Sequence, residues 1–493
     1  MYLVTSEQMR ELDRHAVTSL HIPEIVLLHL AGKAIADVLV QRGPRGHIVV
    51  LAGKGNNGGD GYAAARWLKH YQYSVEVVSL VHPETLTGSV ALAAQSAIAA
   101  GVPVRVYSGQ PLPEAQLYLD ALLGTGQNRP PADRLLQMLE SLSHTSTPIW
   151  AVDVPTGVDT DTGAVYPGAV QAVLTIAMAA QKIGTAVTPG CLQAGEVVVA
   201  DIGIPILHNP SFATWIEPAE LAARAAYRPV TAHKGLAGHV AVIVGCLPGA
   251  AKLAALAAAR SGAGRISLLT ASAIEPPLPD MLMIPVNGAL RNSLPEGAVF
   301  LIGPGMLDAW PIEVVWSVVE SGGKVVLDAE AMDAWLSAPE ERRLADPFLA
   351  ERVVLTPHPK ECARLIGWTV DSVQKHRLAA ARRLSQQANA TVLLKGYRSI
   401  VNSQQSVSVN PVGGPSLAVA GSGDVLAGVI AALLAQGLSA YDAARLGCWL
   451  HGRAGDRLAR RIPAAACMAS DVVQELPQAL ADALGVKMKS TDK

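Results

Sequence analysis

Gly53-Lys54-Gly55-Asn56-Asn57-Gly58-Gly59-Asp60-Gly61 stands between an apolar run, His47–Ala52, and a run with helical spacing over residues 60–71. Five of its nine residues are glycine, and the others are Lys, Asn and Asp. Strand, glycine-rich loop and helix in that order predict an open α/β sheet with a seat for phosphate. Glycine lets the backbone approach a ligand closely, and the N–H groups at a helix start attract anions. A second loop of this kind, Gly421-Ser422-Gly423-Asp424, opens another helix far downstream. Two such loops imply two nucleotide-handling sites.

The chain has 493 residues, too many for one ordinary core, so two or three domains are expected. Half of it is hydrophobic, while aromatics are scarce, at 8 Trp, 10 Tyr and 3 Phe. Abundant Ala and Gly favour close helix-on-sheet packing over a β-sandwich. The balance of 39 basic and 41 acidic residues gives no reason to expect nucleic acid or an anionic membrane as partner. Five cysteines are scattered singly, without a CxxC pair or a Cys/His cluster, which argues against zinc and against a disulfide framework. Residues 1–14 lack the apolar centre of a signal peptide, and the apolar stretch 425–435 is too short to span a bilayer. A soluble, cytoplasmic protein acting on small molecules is expected, as a homo-oligomer.

Apolar strand candidates lie at 47–52, 75–80, 102–107, 117–123, 149–154 and 173–177, with helical candidates at 60–71, 85–100 and 132–142 between them. Two amphipathic runs, 6–20 and 24–42, precede the first strand. The second half repeats the alternation, with strands at 240–244, 266–270, 299–302, 325–328, 353–356 and 392–395. Its helices are expected at 250–262, 361–366, 373–388, 424–435 and 440–458. Alternation of this kind implies mostly parallel sheets covered on both faces. A connector at 205–234, carrying Pro210, Pro218 and Pro229, separates expected domains at 1–215 and 225–493.

Strand-to-helix loops gather along one edge of a parallel sheet and carry its chemistry. Three such loops in the first half are polar and glycine-rich: Asn56 to Asp60, then Gly124-Thr125-Gly126-Gln127-Asn128-Arg129-Pro130 after Asp120, then Asp153-Val154-Pro155-Thr156-Gly157. A tight turn would explain any one of them, but not three together. No Walker lysine–serine pair is present. Asp120 and Asp153 at strand ends are either buried structural acids, cation ligands or proton acceptors. Oxygen ligands from Asn57, Asp120 and Thr156 would suit a monovalent or alkaline-earth ion rather than zinc.

These three loops, with the opening Thr5-Ser6-Glu7-Gln8-Met9-Arg10 and Asp13, resemble the N-terminal domain of the NAD(P)H-hydrate epimerases. The resemblance implies a Rossmann-like three-layer sandwich that epimerises hydrated NADH or NADPH at C6 of the nicotinamide ring and binds K+. On that reading Asn56, Asn57, Gly58, Gly59 and Asp60 contact the hydrate. Gly124, Thr125, Gly126, Gln127, Asn128, Arg129 and Pro130 wrap its phosphates. Asp153 is catalytic and reaches the reacting ring, and Asn57, Asp120 and Thr156 hold K+. The family more usually has Ser where Thr156 stands.

In the second half, Gly421 to Asp424 places backbone N–H groups around a phosphate with an acid beside it, an arrangement suited to phosphoryl transfer. An ordinary helix cap would explain the tetrapeptide alone. Four further segments support a site: Thr356-Pro357-His358-Pro359-Lys360-Glu361, Lys395-Gly396-Tyr397-Arg398-Ser399, Gly303-Pro304-Gly305 and Gly249-Ala250. Taken singly, His358 could be structural, residues 395–399 an exposed hairpin and Gly303 to Gly305 a turn. Together, from His233 to about Leu476, they resemble the NAD(P)H-hydrate dehydratases of the ribokinase superfamily. The resemblance implies a ribokinase-like α/β/α domain that phosphorylates the hydrate with ADP or ATP, with Mg2+, and then eliminates phosphate. Ala250, Gly305, His358 and Asp424 would contact the hydrate, with Asp424 as general base. Lys395, Gly396, Tyr397, Arg398, Ser399 and Gly423 would contact the nucleotide. The family's usual Gly-Thr-Gly-Asp is Gly-Ser-Gly-Asp here.

The combined expectation is a bifunctional repair enzyme: one half interconverts the R and S hydrates, the other consumes the S form, releasing AMP and phosphate when ADP is used. The competing expectation is a ribokinase-like small-molecule kinase fused to a non-catalytic nucleotide-binding module.

Overall fold

The computed structural model describes residues 1–206, 209–231, 233–286, 290–306, 313–320, 322–404 and 406–486. The chain divides into two compact units, Tyr2–Ala213 and the stretch from Thr214 onward.

The first unit is built on a seven-stranded sheet, in the order Val104–Val106, Ser74–Ser79, His47–Ala52, Leu117–Ala121, Ile149–Val152, Leu174–Met178 and Glu196–Ala200. Every neighbouring pair in it is parallel. Successive residues of a strand face opposite sides. In His47–Ala52, Ile48, Val50 and Ala52 join one core with Tyr62 and Leu68, while Val49 and Leu51 join a second with Met138 and Leu139. Both faces are therefore covered, as near-continuous apolar strands require. The chain runs outward from His47–Ala52 to one edge, then returns to Leu117–Ala121 and runs to the other. The gap between the ends of these two strands is the topological switch point, where open α/β sheets bind ligands. A short strand, Tyr2–Val4, also pairs in parallel with Gln181–Lys182, setting Val4 opposite Lys182.

The second unit repeats the plan. Its sheet runs Leu282–Pro285, Arg265–Thr270, His239–Ile243, Val299–Ile302, Lys324–Leu327, Val353–Leu355 and Thr391–Leu394, all parallel. Beyond Thr391–Leu394 the direction reverses, and Ile400–Asn402 and Val407–Val409 follow antiparallel. Helices Pro248–Arg260, Ser422–Ala435, Ala440–Leu458 and Ala469–Ala483 contribute to one core with the strands. On other helices Trp316 and Trp335 stack, ring centroids 4.3 Å apart.

The α/β alternation and the two-part organisation are as the sequence predicts, and several boundaries differ. The helix expected at 60–71 is Asn56–His70, so the second half of the glycine loop is already helical. A Cβ on Gly58 would stand 2.0 Å from the Gly53 carbonyl oxygen, which explains why a glycine-rich stretch is helical here: only glycine lets that turn close on the loop. The run 102–107 shortens to Val104–Val106. The helix expected at 373–388 is broken at His376 into Val370–Lys375 and Arg377–Ala388. Residues 395–399 form the loop of an antiparallel hairpin. No helix among the described residues is long and apolar enough to cross a membrane. Cys362, Cys448 and Cys467 form no disulfide.

Candidate functional site

The switch point of the first unit opens into a cavity of about 1190 Å³. Its wall includes Asn56, Asn57, Asp60, Gly124, Thr125, Gly126, Gln127, Arg129, Pro130 and Asp153, brought together from the three loops expected to form a site. Five expected residues do not line it: Gly58, Gly59, Asp120, Asn128 and Thr156. Gly58 and Gly59 are buried where the helix meets Gly53 and Leu28, so their part is packing. Asn128 is exposed. Gln127 is buried, its Oε1 accepting from Gly157 N (2.6 Å) and its Nε2 donating to Leu123 O and Pro155 O. Its side chain thus ties two loops together instead of facing phosphate.

Asp153 follows the strand Ile149–Val152 with φ +67°, a left-handed conformation uncommon for a residue with a side chain. Its carboxylate accepts from Thr125 N (3.1 Å), Thr125 Oγ1, Met178 N (3.2 Å) and Lys182 Nζ. The Lys182 ammonium is buried and fully used, also donating to Met178 O (2.8 Å) and Ala180 O (3.1 Å). Lys182 is a site residue the motifs did not reveal. The one local signal is a cationic side chain amid the apolar run that ends a strand.

Two more carboxylates line the same cavity. Asp13 comes from the helix Ser6–Thr18, whose start Thr5 caps by accepting from Gln8 N (3.2 Å). Its carboxyl is pushed up to about 6, first by loss of solvent, with Lys182 opposing and Asp153 adding to the rise. Asp60, from the helix Asn56–His70, accepts no hydrogen bond among the described residues. Desolvation, then the charges of Asp153 and Asp13, raise its pKa well above the ordinary value.

Asp120 lies behind the cavity, wholly buried in a central strand. It accepts from Thr156 N (2.8 Å), Thr156 Oγ1 (2.8 Å) and Leu122 N (3.2 Å). Thr156 Oγ1 in turn accepts from Leu123 N (3.1 Å), and Asn57 Nδ2 donates to Leu123 O (2.9 Å). Asn57, Asp120 and Thr156 therefore converge on one turn. Burial pushes the Asp120 carboxyl up to about 6 despite those bonds, and no cationic side chain pairs with it among the described residues. A buried carboxylate without a counter-charge, flanked by amide and hydroxyl oxygens, fits an alkali cation.

In the second unit the strand ends again gather the acids. Asp328 follows Lys324–Leu327, close to Gly303, where a Cβ would stand 1.8 Å from the Asp328 carbonyl oxygen. Asp328 Oδ1 accepts from Thr356 Oγ1 (2.6 Å) and Lys395 Nζ (2.9 Å). A Cβ on Gly423 would stand 3.3 Å from Lys395 Nζ and 4.0 Å from Asp328 Oδ2, so this pair lies under the start of the helix Ser422–Ala435. Asp424 belongs to that first turn and accepts no hydrogen bond among the described residues. Its carboxyl is pushed up to about 6 by burial, then by Asp328, with Lys395 opposing. Burial also raises Glu361, against the pull of Lys395. Leu247 N donates to Gly305 O (3.0 Å), joining the start of Ala250's helix, Pro248–Arg260, to the turn after Val299–Ile302.

The other expected residues of this half are placed differently. The Nδ1 of His358 caps its own helix, accepting from Lys360 N (3.1 Å) and Glu361 N (3.2 Å). Of the hairpin, Lys395 alone reaches the acids. Arg398 donates to Pro411 O (2.6 Å) and lies over Trp215, Ser399 Oγ donates to Gly396 O (2.7 Å), and Tyr397 is exposed. Asp328, Glu361 and His451, whose Nε2 lies 3.0 Å from Ser422 Oγ, were not named as site residues by sequence reasoning. Asp328 did carry a signal, since the strand expected at 325–328 ends on it.

A sequence profile of the NAD(P)H-hydrate dehydratases matches residues 240–478, and one described as the YjeF-related protein N-terminus matches residues 24–184. A bifunctional NAD(P)H-hydrate repair enzyme of Moorella thermoacetica is 34% identical, over 97% of this chain and 97% of the relative. The protein so described in Coxiella burnetii is 33% identical, over 96% and 98%. Among solved structures, the ADP/ATP-dependent NAD(P)H-hydrate dehydratase of Bacillus subtilis, co-crystallised with ATP and Mg2+, is 26% identical with a TM-score of 0.45, covering 55% of this chain and 99% of that one. With near-complete, mutual coverage by such relatives, the chain belongs to the family of bifunctional NAD(P)H-hydrate repair enzymes, an isomerase and a lyase in one polypeptide.

Proposed function

We propose that residues 1–215 interconvert the R and S hydrates of NADH and NADPH, and that residues 225–493 dehydrate the S hydrate with ADP, releasing AMP and phosphate. The observation that carries this reading is that each unit has its own acid cluster around one lysine, behind its own glycine-started helix.

In the first unit the hydrate lies in the cavity, with Asp153 facing the reacting ring and Gly124, Thr125, Gly126 and Arg129 along its phosphates. Asn57, Asp120 and Thr156 would hold K+, which would supply the counter-charge that the Asp120 carboxylate lacks. In the second unit Asp424 accepts the proton of the C6 hydroxyl as that oxygen attacks the terminal phosphoryl group of ADP. AMP leaves with the bridging oxygen. The C6–O bond to the new phosphate then breaks and C5 loses a proton, restoring the dihydronicotinamide. Lys395 and the N–H groups of Gly421 to Gly423 meet the nucleotide's phosphates, and Ala250 and Gly305 border the hydrate. Mg2+ would neutralise developing phosphoryl charge, and Asp328, Glu361 and Asp424 offer the hard oxygens it prefers.

The test is the purified protein with the S hydrate of NADH and ADP. Return of the near-ultraviolet absorbance of the dihydronicotinamide, with one AMP and one phosphate per turnover, is the expected result. A stable phosphorylated hydrate without absorbance would establish the kinase instead.

A further inference from the structure

Three carboxylates, of Asp13, Asp60 and Asp153, line the first unit's cavity with one buried lysine, Lys182. Their surroundings are unequal. Four donors converge on Asp153, one of them an ammonium, and they leave no acceptor for a proton of its own. Lys182 has spent all three N–H bonds. Asp60 accepts no hydrogen bond and forms no ion pair among the described residues, yet it is partly buried and lines the cavity. Counted from the cap at Gly55, it is past the first turn of its helix, where the N-terminal dipole gives an anion little support. Two carboxyls in environments that oppose each other in this way divide the roles of acid and charged stabiliser.

We propose that Asp60 is the proton-carrying catalytic residue of the epimerisation, while Asp153, fixed by Lys182, stabilises the positive ring formed on the way. This rests on the epimerase reading of the first unit. Asp60 gives its proton to the C6 hydroxyl, the C6–O bond breaks, and water leaves. The N1 lone pair forms the N1=C6 iminium, whose charge faces the Asp153 carboxylate. Water re-adds to C6, from the same face or the other, and Asp60 takes the released proton back. Protons and oxygen balance, and no further reagent is consumed.

Burial and the charges of Asp153 and Asp13 raise the Asp60 carboxyl well above its ordinary value, with Lys182 opposing. The charged groups turned to it are Asp13, Asp153 and Lys182, with Arg10, Arg14, Glu24, Lys54, Arg129 and Asp133 elsewhere on the wall.

The experiment is epimer exchange by Asp60→Asn in the full-length chain. The amide keeps the shape and loses the proton. A fall in kcat of about 10²- to 10⁴-fold, with KM within about threefold of wild type, is expected. Asp60→Glu should recover part of the loss. Exchange at the wild-type kcat, or a rise in KM alone, overturns the proposal. Should Asp60→Asn not fold, the wild-type pH profile decides. The rate must fall as pH rises through an ionisation that Asp13→Asn leaves in place, and a rate that rises with pH instead overturns it. Absence of exchange in the wild type would instead overturn the epimerase reading, so the two failures are distinct.

Discussion

The two units answer the same electrostatic problem with different lysines. Each sets a lysine against the carboxylate at a strand end, Lys182 on Asp153 and Lys395 on Asp328, and each leaves a helix-borne aspartate, Asp60 or Asp424, unpartnered among the described residues. Lys182 is 1% exposed, and backbone carbonyls take the N–H bonds that Asp153 does not. Lys395 is 18% exposed and makes one hydrogen bond among the described residues, beside a glycine with no side chain to cover it. A lysine with every donor spent is a fixed counter-charge. One with free donors beneath a helix N-terminus is poised for an incoming phosphate. The difference fits the proposed chemistry: epimerisation brings no charged co-reactant to the site, whereas phosphoryl transfer brings its own anion.

This contrast can be broken most sharply at Asp424. Asp424→Asn should lower dehydration by about 10²- to 10⁴-fold while epimer exchange stays at the wild-type rate. Loss of both reactions in folded protein would mean the units are not separate devices. Next in size is Lys182→Met, which leaves Asp153 buried without its counter-ion at a cost of about 3–5 kcal/mol. Thermal unfolding followed by a probe in the first unit should drop accordingly and epimer exchange should be lost, with dehydration of the S hydrate retained. The matching change in the second unit, Lys395→Met, should act through a raised KM for ADP more than through stability, and equal losses of stability would erase the distinction.

Smaller effects come from titration. Burial raises the Asp120 carboxyl from 3.8 to about 6, so the folded state holds that proton more tightly than the unfolded chain. The contribution is therefore whole below about 3.8 and is lost as pH rises through about 6, by about 2–3 kcal/mol. A K+ ion beside Asp120 would offset this trend, so melting temperatures of the first unit should fall between these pH values in K+-free buffer and hold steady in K+. Indifference to K+ would remove Asn57, Asp120 and Thr156 as its ligands. In the second unit the sign is opposite. Burial lowers the pKa of His451 from 6.5 to about 4, with its bond to Ser422 opposing. Its share of stability is whole above pH 6.5 and is lost as pH falls through about 4. His451→Gln should flatten part of that loss in melting experiments. The remainder belongs in part to His239, lowered to about 4 over the same window.

Much of this was legible in the residues. The glycine loops, the strand-end acids Asp120 and Asp153, and Asp424 at a helix start follow from local pattern. The helix boundary at Asn56 was not, because glycine disfavours a helix by its own propensity and only the close approach of Gly58 to Gly53 reverses that. Nor was the engagement of Gln127, which looks like a phosphate-facing loop residue until its amide is seen holding Gly157 and Pro155.

By itself the sequence determined the α/β alternation, its division in two and the positions of both glycine loops, because periodicity and backbone permissiveness are properties of adjacent residues. Tertiary structure alone decided which charges meet. Lys182 reaches Asp153 across 29 residues because the preceding strand, Leu174–Met178, lies beside Ile149–Val152, and Lys395 reaches Asp328 across 67 because their strands end on one edge of the same parallel sheet. Whether an aspartate is paired or left holding a proton depends on those meetings. The roles of Asp60 and Asp153 therefore separate only once the sheet is assembled.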